Sequence, residues 1–389
     1  MDEQKAQKKL NIILRILAFL VTLALIAGAI FLIANRDQLS MDAVKRYFTY
    51  RSLERSDSGQ AESFDYSPSS TDIFALLGDD LLVCSVGGVH LYSGGGVCYV
   101  DDPMSLEHPA IEVCGETAAV WSVGGNSIFL YRDRIRCGSL EDLSSPLLSV
   151  RLNPAGWLAV TTRESGYKAV VTIYDDQLVK RTAFRLSSAF VTDAVLTDDN
   201  KSLAAVSIRQ NGTSFESSLS LYPLPDLETG GVDYELTPSA SFPLGNNVIL
   251  DMKGGNAIWC LGDTGLSALQ NASVGSWSYQ EEHLKNYAFS DQFTAVLLGK
   301  YRAGSQAELY TVDPQGNPSV ARIMNEQILS LSACGKYVAV LTADRLDIYT
   351  QDLDLYATLN GTNGAKKVLM REDGTALLIG HDSANLYVP

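Results

Sequence analysis

The stretch Val89-His90-Leu91-Tyr92 is a short apolar strand closed by a tyrosine, and the chain repeats it. It returns as Ile128-Phe129-Leu130-Tyr131, Val171-Thr172-Ile173-Tyr174, Leu219-Ser220-Leu221-Tyr222, Ala307-Glu308-Leu309-Tyr310, Leu346-Asp347-Ile348-Tyr349 and Ala384-Asn385-Leu386-Tyr387, with Leu266-Ser267-Ala268-Leu269 as a degenerate copy. Successive copies lie roughly 38 to 48 residues apart, the period of repeats that each form one four-stranded propeller blade. The fold class is therefore all-β, a β-propeller of eight blades, or of seven if the degenerate fifth copy is not a blade.

Each tyrosine strand is preceded by a more continuously apolar one. These second strands include Leu81-Leu82-Val83-Cys84, Ala118-Ala119-Val120-Trp121, Leu203-Ala204-Ala205-Val206 and Tyr337-Val338-Ala339-Val340. Apolar runs without polar alternation imply burial on both faces, as expected where blades stack. The turns before them carry residues that accept positive φ, among them Gly115-Glu116, Asp198-Asp199-Asn200 and Gly335-Lys336. The last copy stops at Pro389 just after Tyr387, leaving its blade one strand short. Glu62-Ser63-Phe64-Asp65-Tyr66, which alternates polar with aromatic, is expected to supply that strand and close the ring, removing two sheet edges.

Upstream of the repeats the composition changes. A basic tail over 1–15, with Lys5, Lys8, Lys9 and Arg15, precedes the uncharged run 16–34. Nineteen helical residues span about 28 Å, close to a hydrocarbon core, so 16–34 reads as one transmembrane helix in contact with the lipid bilayer. A cleaved signal peptide ending at Ala27-Gly28-Ala29 is the alternative, but the apolar run continues through Ile30-Phe31-Leu32-Ile33-Ala34. The basic tail places the N-terminus in the cytoplasm and the large domain outside the cytoplasmic membrane; Arg36, Lys45, Arg46 and Arg51 beyond the span weaken that bias. Residues 35–61 read as a juxtamembrane helix over 40–55, capped by Ser40 with Val44 and Phe48 on one stripe, followed by a linker. Residues 62–389 are the propeller.

Charge narrows the partners. Residues 1–61 carry nine Lys/Arg against six Asp/Glu, so of the net −15 about −18 falls on the propeller. Such a domain repels phosphate backbones, which argues against nucleic acid. The six cysteines show no CxxC spacing and read as small apolar strand residues, with single bridges Cys84–Cys98 or Cys114–Cys137 as the alternatives.

Motifs of catalysis are missing from the sequence: there is no GxSxG elbow, HExxH helix, Walker loop or EF-hand series. His90, His108, His283 and His381 fall in different repeats without metal spacing, and no cofactor is expected. The acidic pairs Asp101-Asp102, Glu141-Asp142, Asp198-Asp199 and Glu281-Glu282 read as solvated turns. Aromatics in polar stretches are the better lead, because Trp and Tyr anchor interfaces. Trp277, Tyr279 and Tyr301 are the candidate interface residues; the plainer reading makes the first two ordinary packing on an outer strand.

The repeat pattern resembles the quinoprotein-like and WD40-like propeller superfamilies. With the anchor included, the chain is similar to an uncharacterised family of bacterial single-pass membrane proteins that carry a propeller. WD dipeptides are missing, and Leu261-Gly262-Asp263-Thr264-Gly265 matches the Asp-Thr-Gly turn of quinoprotein repeats in one blade alone, so no redox cofactor is implied. The expectation is a non-enzymatic scaffold or recognition module for a protein or envelope ligand. The alternatives are a lyase- or glycosidase-type enzyme with its site in the central channel, and a cytoplasm-facing assembly factor.

Overall fold

A computed structural model describes residues 19, 21–23, 25–26, 41–51, 53, 56, 59–187, 189–224, 237–279, 282–362 and 364–389. The chain divides into two compact units, Met1–Leu53 and Glu54–Pro389. The basic tail and most of the span expected at 16–34 lie outside the described residues; those described within the span are helical. Among the described residues no helix is long and apolar enough to cross a membrane. The juxtamembrane helix is Met41–Thr49, with Asp42 in its first turn and Arg46 in its last, each complementing the helix dipole. It ends at Thr49, where Thr49 and Tyr50 are weak helix formers; Ser52, Glu54 and Arg55, within the helix expected over 40–55, lie outside the described residues.

The second unit is an eight-bladed propeller of four-stranded antiparallel sheets. Blade 1 is Ile73–Leu77, Asp80–Ser85, Gly88–Tyr92 and Cys98–Pro103, and blades 2 to 7 repeat that order. The degenerate fifth copy is a complete blade: Ile249–Lys253, Ile258–Gly262, Gly265–Gln270 and Ser273–Ser278. Blade 8 takes Lys367–Met370, Ala376–Ile379 and Ser383–Tyr387 from the C-terminal part and Gln60–Asp65 as its fourth strand. That closing strand pairs antiparallel with the tyrosine strand, Phe64 opposite Ala384 and Gln60 opposite Tyr387. Gln60 and Ala61, assigned to the linker from composition, are thus part of a blade.

The tyrosine motif has a packing cause. Among the described residues seven apolar clusters each join two consecutive blades, and the residue at the motif's tyrosine position sits in the cluster shared with the preceding blade. Tyr131 packs with Leu82, Cys84 and Leu91 of blade 1, and Tyr174 with Trp121 and Leu130 of blade 2. Tyr349 does the same toward blade 6 and Tyr387 toward blade 7, while Leu269 fills that place in blade 5. Tyr92 meets the closing strand instead, its ring 6.1 Å from Phe64. A large side chain at this position seals each blade to the last one, which is why the motif recurs. Second strands such as Asp80–Ser85 and Thr117–Ser122 are buried along their length, while that of blade 4, Ser202–Asn211, runs on into exposed residues.

Turn chemistry follows the expected residues: Gly115 and Asn200 hold φ of 58° and 57° in the turns before second strands. All six cysteines are free. Cys84 and Cys98 occupy the second and fourth strands of blade 1, and Cys114 and Cys137 the first and fourth of blade 2. Strands about 4.8 Å apart put such partners beyond disulfide reach. His381 and Asp382 lie in the turn between the second and third strands of blade 8.

Candidate functional site

Three regions of the propeller carry unusual side chains: the central channel, one groove between blades, and the two ends.

Innermost strands leave one edge unpaired, so their inward amides need partners. Side chains supply several. The Asp193, Asp251 and Asn286 side chains accept from the amides of Ala194, Met252 and Tyr287, and Ser330 and Ser332 hydroxyls accept from Val368 and Met370 of the next blade. Register shifts accompany the first three, between Val191 and Asp193, Ile249 and Asp251, and Leu284 and Asn286. Each shift turns a polar side chain inward.

Arg151, from the first strand of blade 3, joins these groups across the ring. Its Nε donates to both Asp193 oxygens at 3.0–3.1 Å, its Nη2 reaches Asp193 and Asp251 at 2.5 Å, and its Nη1 reaches Glu112 at 3.2 Å. Lys253 Nζ adds a bond to Glu112 at 3.3 Å, and the Tyr287 hydroxyl donates to Asp251 at 2.9 Å. The guanidinium thereby ties blades 2 to 5, and Tyr287 adds blade 6 through Asp251. The surrounding carboxylates raise the Arg151 pKa further above its ordinary value against the opposing effect of burial. Carboxylates from several blades do converge in the channel, as an enzymatic site would need, and each is engaged by a cation.

The three candidate interface aromatics meet in one groove between blades 5 and 6, of about 950 Å³. Tyr301 is 68% exposed on the loop after Gly299. Trp277 is half-buried, its ring 5.3 Å from Tyr279 and 5.0 Å from Tyr310, at angles of 70° and 55°. Tyr279, a candidate interface residue, is only 1% exposed, because it follows the fourth strand of blade 5 and packs with Val296, Leu298 and Val312 of blade 6. Glu282 and Glu308 line the same groove. Burial, and then the charge of Glu308, push the Glu282 carboxyl above its usual range. Gly275 lets blade 6 close over this strand: a Cβ there would stand 2.2 Å from the Gln315 carbonyl carbon.

The ends of the propeller differ. One end is formed by the starts of first strands, the second-to-third hairpins and the links between blades. It carries the exposed apolar side chains Val86, Val123, Leu148, Tyr167, Phe190, Phe215, Val248, Leu250, Tyr301 and Leu329. The remaining exposed ones of the propeller, Val97, Tyr99, Ile135, Val179, Val320, Ile323 and Leu355, sit on fourth strands or the turns leading to them. At the opposite end the described turns bear Asp79, Glu116, Asp133, Asp175, Asp176, Asp198, Asp199, Asp291, Asp313, Asp352, Asp354, Glu372 and Asp373 against Arg134, Lys201, Lys336 and Arg371. The closing strand begins at this acidic end, since Gln60 pairs with Tyr387 at the finish of a third strand.

Other acidic pairs have local duties. Asp102 accepts from the Tyr131 hydroxyl at 2.8 Å and from Arg136, and Asp101 lies 3.2 Å from His90 Nε2. Asp199 caps its own turn through Thr197 and Lys201. No group of three or more His, Cys, Asp or Glu among the described residues is placed to hold a metal ion.

Comparison with solved structures returns propellers. The C-terminal WD40 domain of Sif2 aligns with a TM-score of 0.51 at 11% identity, covering 85% of this chain and 96% of that one. The β-propeller domain of Myceliophteria thermophila Cps50 (Swd1) aligns at 0.49 and 14% identity, covering 74% and 99%. At these identities the likeness concerns the fold alone. No curated protein matches the sequence. A family model does, over residues 46–383, nearly the whole propeller, and the chain therefore belongs to DUF5711, a family of unknown function.

Proposed function

We propose that the chain is a membrane-tethered, non-enzymatic recognition scaffold whose apolar end receives a protein partner. Segment 16–34 is its bilayer anchor, with the N-terminus cytoplasmic and the propeller on the outer side of the cytoplasmic membrane. The observation that carries the reading is the number of exposed large apolar side chains at the end opposite the acidic turns, ten among the described residues, Phe190, Leu250 and Leu329 among them, against seven spread over the fourth strands and the turns leading to them. Exposed apolar groups gathered on one face mark an association surface, and scattered ones do not.

The competing reading is an enzyme of lyase or glycosidase type acting in the central channel. It draws on Glu112, Asp193 and Asp251, which meet there. Their engagement by Arg151 and Lys253 favours the scaffold, because a general acid or base needs a carboxyl group free to exchange a proton.

Photo-crosslinking in cells expressing the full chain tests the proposal. A crosslinker placed at Phe190 or Leu250 should give a discrete protein adduct, and one at Asp176 or Asp352 should not. Phe190→Asp should abolish the adduct formed from Leu250. Adducts of equal strength from both ends, or none from the apolar end, would sink the reading.

A further inference from the structure

Carboxylates buried elsewhere in this propeller are held by arginine: Asp193 and Glu112 by Arg151, Asp347 by Arg345, and Asp175 by Arg181. The groove between blades 5 and 6 instead holds two half-buried carboxylates. Glu282 and Glu308 share it, close enough that each is in the other's field, and among the described residues no cation is paired with either. Lys300 also lines the groove, but its Nζ stands 5.9 Å from the Tyr301 ring centre. The Glu308 Oε2 atom accepts from the Tyr310 hydroxyl at 2.6 Å, which fixes the carboxylate beside an aromatic ring.

The walls are aromatic. Trp277 is inclined 70° to Tyr279 and 55° to Tyr310, so these rings do not stack shut. The Tyr279 hydroxyl is buried without a hydrogen-bond partner, a cost the folded chain carries at this groove. Ring faces are the negative side of the aromatic quadrupole, and a cation over them beside a carboxylate gains from both. The domain's surplus of acids attracts such a group from a distance.

We propose that this groove binds a cationic side chain, the ammonium of a lysine or the guanidinium of an arginine, presented by the protein partner. This rests on the scaffold reading. The groove opens toward the same end as the apolar side chains, because Glu282 lies in the link between blades 5 and 6 and Tyr301 in a second-to-third hairpin. A partner seated on that end reaches the groove with a basic residue at its margin.

The test uses the full-length chain in detergent with its tryptophan indoles labelled for NMR; there are four tryptophans, and the Trp277 resonance is assigned by its loss in Trp277→Phe. The probes are N-acetyl-lysine methylamide, N-acetyl-arginine methylamide and the uncharged N-acetyl-norleucine methylamide. The Trp277 resonance should shift saturably with the first two and not with the third. Glu282→Gln with Glu308→Gln, which keeps side-chain shape, should weaken the response at least ten-fold while the other three indole resonances stay in place. An equal response to norleucine amide, no saturable response, or an undiminished response in the double variant would overturn the inference. Crosslinks from Leu250 without any response to the cations would sink the groove inference alone. A cation response without crosslinks would keep the groove and sink the docked-protein reading.

Discussion

Replacing Arg151 with methionine should expose how much of the ring depends on one guanidinium. The side chain is largely buried and holds Asp193, Asp251 and Glu112 at 2.5–3.2 Å. Methionine keeps much of its length and removes its charge, leaving three carboxylates with Lys253 as the remaining cation of the cluster. Breaking a buried ion pair by removing one partner costs about 3–5 kcal/mol, because the stranded charges stay desolvated. For a unit the size of Glu54–Pro389, an unfolding entropy near 2.1 cal/mol/K per residue sums to about 0.7 kcal/mol/K, so the melting temperature should fall by about 4–7 °C. Lys201→Met is the control. Its ammonium lies 3.8 Å from Asp199 with both side chains largely exposed, and pairs of that kind contribute about 0–1 kcal/mol. Adding Asp193→Asn and Asp251→Asn to the Arg151 variant balances the charge again, with Glu112 and Lys253 still paired, and should recover at least half of the loss. Circular dichroism melting of the three variants reads all of this. An Arg151→Met melt no lower than that of Lys201→Met, or a triple variant worse than the single one, would refute the account of the channel as a desolvated charge cluster.

Two further outcomes follow from the described packing. Burial holds the Lys367 ammonium below its ordinary value of 10.5, so the unfolded chain takes up a proton that the folded chain resists. That penalty is full below the folded value and fades as pH rises to 10.5; Lys367→Met should therefore melt higher at neutral pH, with an advantage that narrows toward pH 10.5. An advantage constant over that range would assign it to packing alone. Phe64→Ala removes a side chain that is 7% exposed and seated against Tyr92, and should cost about 3–5 kcal/mol. By loosening the closing strand it should also shift the protein toward larger species in size-exclusion chromatography, since the edge of Ser383–Tyr387 is bared; a variant with unchanged elution and melting would contradict the closure described above.

The ring was legible because its repeat unit is local: strand, hairpin turn and tyrosine all lie within one blade, and each blade meets its neighbours in the same way. Even closure could be read, from an unpaired last blade and the alternation around Phe64. The channel was not. Glu112, Arg151, Asp193 and Asp251 come from the first strands of four different repeats, the first three each the single charge of its strand and Asp251 sharing its strand with Lys253, and nothing within one repeat shows that they converge. Aligning the first strands would have shown a charged residue in four consecutive copies, which is the signal that was there to find. In the groove, Trp277 and Tyr301 were singled out for polar surroundings, but those surroundings did not distinguish Tyr279, which the close approach of blade 6 covers. Tyr310 and Glu308 were read only as part of the repeat, because their neighbours across the groove belong to the preceding blade.

Closure by Gln60–Asp65 also sets a timetable. The strand made first has no partner until Tyr387 has been made, and at roughly 5–20 residues per second that interval is on the order of 15–65 s. Seven blades can assemble in succession while the eighth waits. A nascent chain interrupted anywhere before Ser383 keeps an open seam, so the ring itself distinguishes finished copies from unfinished ones.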